Sequence, residues 1–292
     1  MSTWPTVFVW GGGRCGRSLA VALHAAGVPV AGLWNRTEAA SRHAGPLPVP
    51  TFWGEAVPAA VGLAEVVWLT VPDDVIATEA ARVLAPHHVA LHAAGAVPAS
   101  ALRAAGPRSA AACHPLQSFP NAVATPDHVA RSTFGLQGDA EAVAVARALV
   151  EAMGARWFEV SDPTAKALTH AACCLASNAL VALVDRAVAV FAAAGVSRTE
   201  ALRALWPLIA GTVDNLAHVD EPRDALTGPI QRGQPGVIEA HLRALRERAP
   251  DLLAPYVAAG REIQRLVPES DAQRAIGEAL SRALAAQDAE PT

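Results

Sequence analysis

Charge is sparse in this chain: 17% of its 292 residues are charged, and the net charge is -4. Without a basic surplus, neither nucleic acid nor an anionic membrane surface is an expected partner, which leaves a small molecule. Cysteine is scarce too. Cys15, Cys113, Cys173 and Cys174 form no C-x-x-C pair, which excludes a disulfide framework or a metal site built on such pairs and suits reduced thiols in the cytoplasm. The N-terminus lacks a basic segment, and its apolar run Val7-Phe8-Val9-Trp10 stops at glycines, too short for a signal sequence. No internal repeat of about 20–50 residues stands out. Hydrophobic residues, by contrast, make up 52% of the chain, ample for a large core. The length suits two domains, with the boundary expected between residues 160 and 161.

The first half alternates strand and helix. A β-rich run, Thr6 to Trp10, enters Gly11-Gly12-Gly13-Arg14-Cys15-Gly16. A helical segment from Arg17 to Ala26 follows, closed by Gly27, and Val28 to Trp34 reads as a second strand. This is one βαβ unit with G-x-G-x-x-G at its turn, the setting in which that motif predicts dinucleotide binding. Gly11 serves the tight turn, Gly13 lets a pyrophosphate approach the backbone, and Gly16 lets the helix lie close to the sheet. The amides of residues 12–16 then face the phosphates. Further strands are expected at 64–71, 88–92, 109–113, 131–136 and 156–160, giving an α/β Rossmann parallel sheet.

The end of the second strand selects the cofactor. NAD-selective sites place a carboxylate there to bond the ribose 2′-hydroxyl. Here the strand runs into Asn35-Arg36-Thr37, and Arg36 is suited to pairing with a 2′-phosphate. NADP(H) is therefore the expected cofactor. Ligands of open parallel sheets lie beyond the carboxyl ends of the strands. That places Val71-Pro72, His92 and His114 at the site, the first three toward the cofactor and His114 toward catalysis or substrate positioning.

From Ser161 onward the sequence is helical. Asp162-Pro163 is a strong helix start, and the helix is expected to run unbroken to Ala194, about 45–50 Å, buried at the centre of an all-α domain. Lys166, His170, Asp185 and Arg186 argue against a membrane span. Lys166, His170, Cys173 and Ser177 fall within about 60° of arc, with Asn178 beside them. Either Lys166 snorkels to solvent or this stripe faces a substrate. Ser197 and Glu200 form a capping box. The breaker-rich loop 226–236 holds Arg232, which either clamps an anionic substrate or caps a helix. Amphipathic helices are expected at 236–248, 251–266 and 270–286. So long an apolar helix, with few neighbours to cover it, predicts a homodimer joined through the helical half.

The layout resembles the superfamily of ketopantoate reductase, pyrroline-5-carboxylate reductase and 6-phosphogluconate dehydrogenase. More closely, residues 114–119, 166–178 and 226–233 resemble a bacterial family of Rossmann-like proteins with a helical C-terminal domain of unassigned function. The superfamily resemblance implies that Lys166 polarises or protonates a substrate carbonyl; His170 stands where the superfamily has Asn. Together these imply an NADP-dependent oxidoreductase acting on a small, anionic carbonyl, imine or hydroxy compound. In that enzyme Lys166, His170 and His114 are the candidate catalytic residues, and Ser177, Asn178 and Arg232 bind substrate. A non-catalytic NADP(H) sensor or scaffold is the alternative from another class. Reductases like ketopantoate reductase, prephenate or arogenate dehydrogenases and deazaflavin-linked enzymes are the further ones.

Overall fold

The structure is a computed structural model that describes residues 4–42, 47–119 and 123–287. Its contacts divide the chain into two compact units, Met1–Ser177 and Asn178–Thr292.

The first unit is built on an eight-stranded sheet: β1 (Val7–Trp10), β2 (Val30–Asn35), β3 (Thr51–Trp53), β4 (Val66–Leu69), β5 (Val89–His92), β6 (Ser109–Pro115), β7 (Thr133–Gly138) and β8 (Arg156–Glu159). The spatial order is β3-β2-β1-β4-β5-β6-β7-β8, with crossovers from β1 in both directions. Every neighbouring pair is parallel except β6 and β7, so the expectation of a wholly parallel sheet needs correcting there. The chain leaves β6 and re-enters β7 at the same end, with Pro115 opposite Phe134, which forces the antiparallel pairing. Strand β3 was not anticipated. Three residues between Pro50 and Gly54 are too short to carry a period.

Helices α1 (Arg14–Ala25), α2 (Glu38–Arg42), α3 (Ala59–Gly62), α4 (Ile76–Val83), α5 (Pro126–Ala130), α6 (Ala140–Ala152) and α7 (Pro163–Ala176) complete this unit. Strand residues alternate between two apolar layers. Val7, Val9, Leu33, Trp68 and Leu91 pack with α1 and α6 on one face. Phe8, Trp10, Val67, Leu69 and Ala90 pack with α4 on the other. The run of buried positions on β1 and β4 is what a parallel sheet covered on both faces requires. Helix α1 ends as expected: Gly27 has φ +76°, and the Val28 and Gly27 amides donate to the carbonyls of Leu23 and His24. On the α4 face, Trp10 and Trp34 are register partners whose rings stack at 4.0 Å, 1° from parallel. The Arg82 guanidinium covers both, and the Trp10 indole N–H donates to Glu79 Oε2 at 2.7 Å.

Asp162 caps α7 as its sequence requires: Oδ1 accepts from the amides of Thr164 and Ala165 at 2.8 and 2.9 Å. The helix does not continue to Ala194. It breaks at Ser177 (φ -115°, ψ -65°), and α8 (Asn178–Ala193) begins the second unit. Because α7 packs on β7, the first unit is longer than 160 residues.

The second unit continues with α9 (Arg198–Leu216), α10 (Pro235–Arg248), α11 (Leu253–Gln264) and α12 (Asp271–Gln287). Ser197 caps α9 in its expected pairing with Glu200. Its main core joins α10, α11 and α12 through Ile238, Leu242, Val257, Ile276 and Leu280. Only Val188 of α8 is buried, so the expectation of a buried central helix is corrected. The core of this unit is made by the last three helices, and α8 supplies only its edge. Leu168, Leu175, Val181, Trp206 and Leu208 stand exposed on α7, α8 and α9. Within Pro163–Ala193 an 18-residue window reaches a mean hydropathy of 1.7, which by length and composition alone would suffice to cross a membrane.

Candidate active site

Two features occupy the carboxyl ends of the parallel strands. The first is the glycine turn. Leaving β1, Gly11 adopts φ +120°, where a side chain is strained, and a Cβ there would lie 2.7 Å from the Thr70 carbonyl carbon. Thr70 Oγ1 donates to Gly11 O at 2.5 Å, tying the ends of β1 and β4 together. A Cβ on Gly16 would collide with the Gly11 carbonyl, so only glycine lets α1 start this close. Gly13 differs: a Cβ there would meet nothing within 4 Å. It is the N-cap of α1 and offers no side-chain cap, and the first turn carries no acid. The leading amides of α1 therefore have no side-chain cap at the positive end of the helix dipole. Arg14 is exposed beside them. Cys15 is half-buried, its thiol pushed up to about 12 by burial.

Asn35 closes β2 with its side chain laid against Gly12, and its buried Nδ2 has no hydrogen-bond partner among the described residues. Arg36 and Thr37 are exposed just beyond it, and Thr37 Oγ1 accepts from the Ala40 amide, capping α2. Past β4, Val71 is half-buried and Pro72 is exposed.

The second feature gathers around Ala94 and Gly95, beyond β5. Lys166, the only lysine in the sequence, reaches from α7 and is 3% exposed; its Nζ donates to Ala94 O at 2.8 Å. It does not snorkel. Burial lowers its pKa to about 8, against the opposing pull of Cys113 and Asp73. The His170 ring lies against Gly95, where any Cβ would strike it, and its buried Nδ1 has no partner among the described residues. His170 Nε2 lies 3.8 Å from Cys174 Sγ. The His114 ring meets it edge to face at 5.4 Å. Burial, then the charge of Lys166, then His170 bring His114 down to about 4. Burial and Lys166 bring His92 down to about 4 as well. His92 Nδ1 accepts from the Ala94 amide at 3.2 Å, leaving a buried Nε2 with no partner among the described residues.

Lys166, His170, His114 and His92 are thus brought together in the first unit. Ser177 is exposed at the end of α7. Asn178 and Arg232 belong to the second unit, where Arg232 donates to Gln234 Oε1 at 3.2 Å. Gly95 was not among the residues singled out from sequence. Its role comes from a contact with a residue far along the chain, and the isolated glycine after β5 was the available signal.

With this sheet and these helices, the chain is a Rossmann-like protein with a helical C-terminal domain. Residues 132–263 match a family described as a domain of unknown function (DUF2520). No curated protein sequence matches the chain. Among solved structures it is similar to a Bacteroides fragilis protein provisionally named an NADP oxidoreductase (20% identity, 89% of this chain and 98% of that one, TM-score 0.70). It is also similar to protein TM1727 of Thermotoga maritima (23% identity, 89% and 97%, TM-score 0.69). A third is the reductive aminase of Aspergillus terreus, solved with NADPH and ethyl-5-oxohexanoate (20% identity, 94% and 99%, TM-score 0.61). At these identities the likeness is one of fold.

Proposed function

We propose that the chain is an oxidoreductase that uses a nicotinamide dinucleotide, NADP(H) in preference to NAD(H). Its substrate would be a small, anionic carbonyl, imine or hydroxy compound. The observation that carries the reading is Lys166: a lone lysine, buried, held on a backbone carbonyl at the same end of the sheet as an uncapped glycine turn. A buried ammonium costs stability unless something repays it, and chemistry is the usual reason to keep one.

The residues fit the dinucleotide. The open space at Gly13 and the free amides of α1 suit a pyrophosphate, the unpartnered Asn35 amide suits a ribose oxygen, and Arg36 suits a 2′-phosphate. When bound, the nicotinamide supplies or takes a hydride. The chain handles the proton. With a pKa near 8, Lys166 is mostly charged at neutral pH and still able to release its proton to the oxygen or nitrogen of an acceptor. His114, neutral at that pH, would orient substrate, as would His170 through its unpartnered Nδ1. The resemblance to a reductive aminase and to pyrroline carboxylate reductases (17% identity to the Coxiella burnetii enzyme) supports the imine or carbonyl class.

The closure of Lys166 favours one second reading, an NADP(H)-binding sensor that turns nothing over. A screen that follows NADPH absorbance with keto acids, cyclic imines and prephenate separates the two. Turnover establishes the enzyme; micromolar NADPH binding without turnover on any compound gives the sensor. The exposed apolar residues of α7, α8 and α9 support a homodimer, and a light-scattering mass of one chain at micromolar concentration would refute it.

A further inference from the structure

A groove lies wholly within the helical unit. The end of α8, the second half of α10 and the start of α11 line an open groove of about 510 Å³, the size of a small-molecule site. The space exists because the sequence puts alanine where larger residues would meet: Ala193 and Ala194 at the end of α8 and just past it, Ala244 and Ala249 from the α10 side. Three side chains give this apolar chamber its chemistry. His241 and Tyr256 form a corner, their rings 85° apart with centroids at 5.9 Å, and His241 Nδ1 lies 2.7 Å from Tyr256 Oη. Burial raises the Tyr256 pKa, so the phenol stays neutral and shares one hydrogen bond with Nδ1. Its oxygen keeps a lone pair for an incoming donor. Arg248 stands at the edge of the cavity. Like Arg203, Arg243 and Arg246 in the same unit, Arg248 is exposed and has no ion-pair partner among the described residues.

We propose that this cavity binds an aryl carboxylate, with its ring against the His241–Tyr256 corner and its carboxylate on Arg248. An aromatic ring laid in a right-angled corner meets one ring face on and the other edge on, the favoured geometries for both. A guanidinium without a partner supplies the matching charge, and a carboxylate takes it by two parallel hydrogen bonds. The alanine walls contribute apolar contact without competing polar groups.

Tyr256 is the only tyrosine in the sequence, so 3-fluorotyrosine incorporated into the full chain gives one fluorine resonance, seated in the cavity. Titration with indole-3-acetate should shift that resonance saturably. Indole-3-acetamide, equal in shape and uncharged, should bind about ten- to a hundredfold more weakly. Arg248→Gln should erase the preference for the acid without changing melting temperature, because Arg248 is exposed. Ala244→Leu should fill the chamber and abolish the shift. The proposal fails if the acid produces no saturable shift, if acid and amide bind alike, or if Arg248→Gln keeps the preference. A resonance that moves with protein concentration alone would assign the cavity to a second copy of the chain and overturn it as well.

Discussion

The two features at the strand ends are built by opposite means. At β1 the chain has removed side chains: Gly11 and Gly16 leave no room for one, and Gly13 leaves space unfilled. At β5 and β6 it has crowded them in, one lysine and three histidines around a single turn of backbone, with two ring nitrogens left unpartnered. The first arrangement offers backbone amides and a dipole, which hold an anion whatever the pH. The second offers protons whose affinity is set by burial. The lesson is that binding and proton transfer have been given to separate kinds of structure in this unit, so mutations should separate them.

The sharpest test of that separation is Lys166→Ala. Once a substrate is in hand, kcat should fall by about 10²–10⁴, the range for a general acid, while NADPH affinity stays within about twofold. An unchanged kcat would make the lysine structural. In stability measurements Lys166→Met should give the opposite sign, a gain at neutral pH, because a charged amine no longer has to be buried. The native pKa near 8 lies below the unfolded value, so the unfolded chain holds the extra proton between pH 8 and about 10.4. Wild-type stability should rise with pH across that window, the Met variant should not, and denaturant titrations at pH 7 and 10 decide.

Gly11→Ala attacks the other side. Its φ of +120° and its contact with the Thr70 backbone predict a loss of about 3 kcal/mol, read as a lower melting temperature, with NADPH binding lost alongside. A stable variant that binds normally would show that the turn has slack. Arg36→Ala should be milder, weakening NADPH by about ten- to a hundredfold and leaving NADH unchanged, in calorimetric titrations of both. Equal wild-type affinities for the two cofactors would remove the case for NADP.

A further test concerns acid. His92 and His114 titrate near 4 in the native chain, below the unfolded value near 6.5. The unfolded state therefore takes up protons that the native state refuses, and stability should fall as pH drops from about 6.5 to 4. His114→Gln should make that slope shallower by one proton. An equal slope would mean that His114 is already solvated.

Much of this was legible in the sequence because it is local. Gly27 and the Asp162-Pro163 cap satisfy backbone groups within a few residues, the glycine turn is one contiguous run, and each stands where the sequence placed it. What escaped depends on distance or on silence. The break at Ser177 has no proline or glycine to announce it, and an apolar period runs straight through Leu175 and Leu180. The antiparallel β7 follows from where the chain re-enters the sheet. The burial of Lys166 rests on Ala94, seventy-two residues away, although a lone lysine among so many arginines was a compositional signal.

The stacked pair Trp10 and Trp34 has a consequence for how the sheet assembles. Both indoles point to the α4 face because β1 and β2 are in one register, and their near-coplanar contact exists only there. A slip of one residue would send one indole through the sheet to the opposite layer and part the rings. The pair therefore acts as an optical proofreader. Their shared near-ultraviolet signal should appear only in chains whose first βαβ unit has locked correctly, which would let refolding be followed at the strand that carries the glycine turn, with no label added.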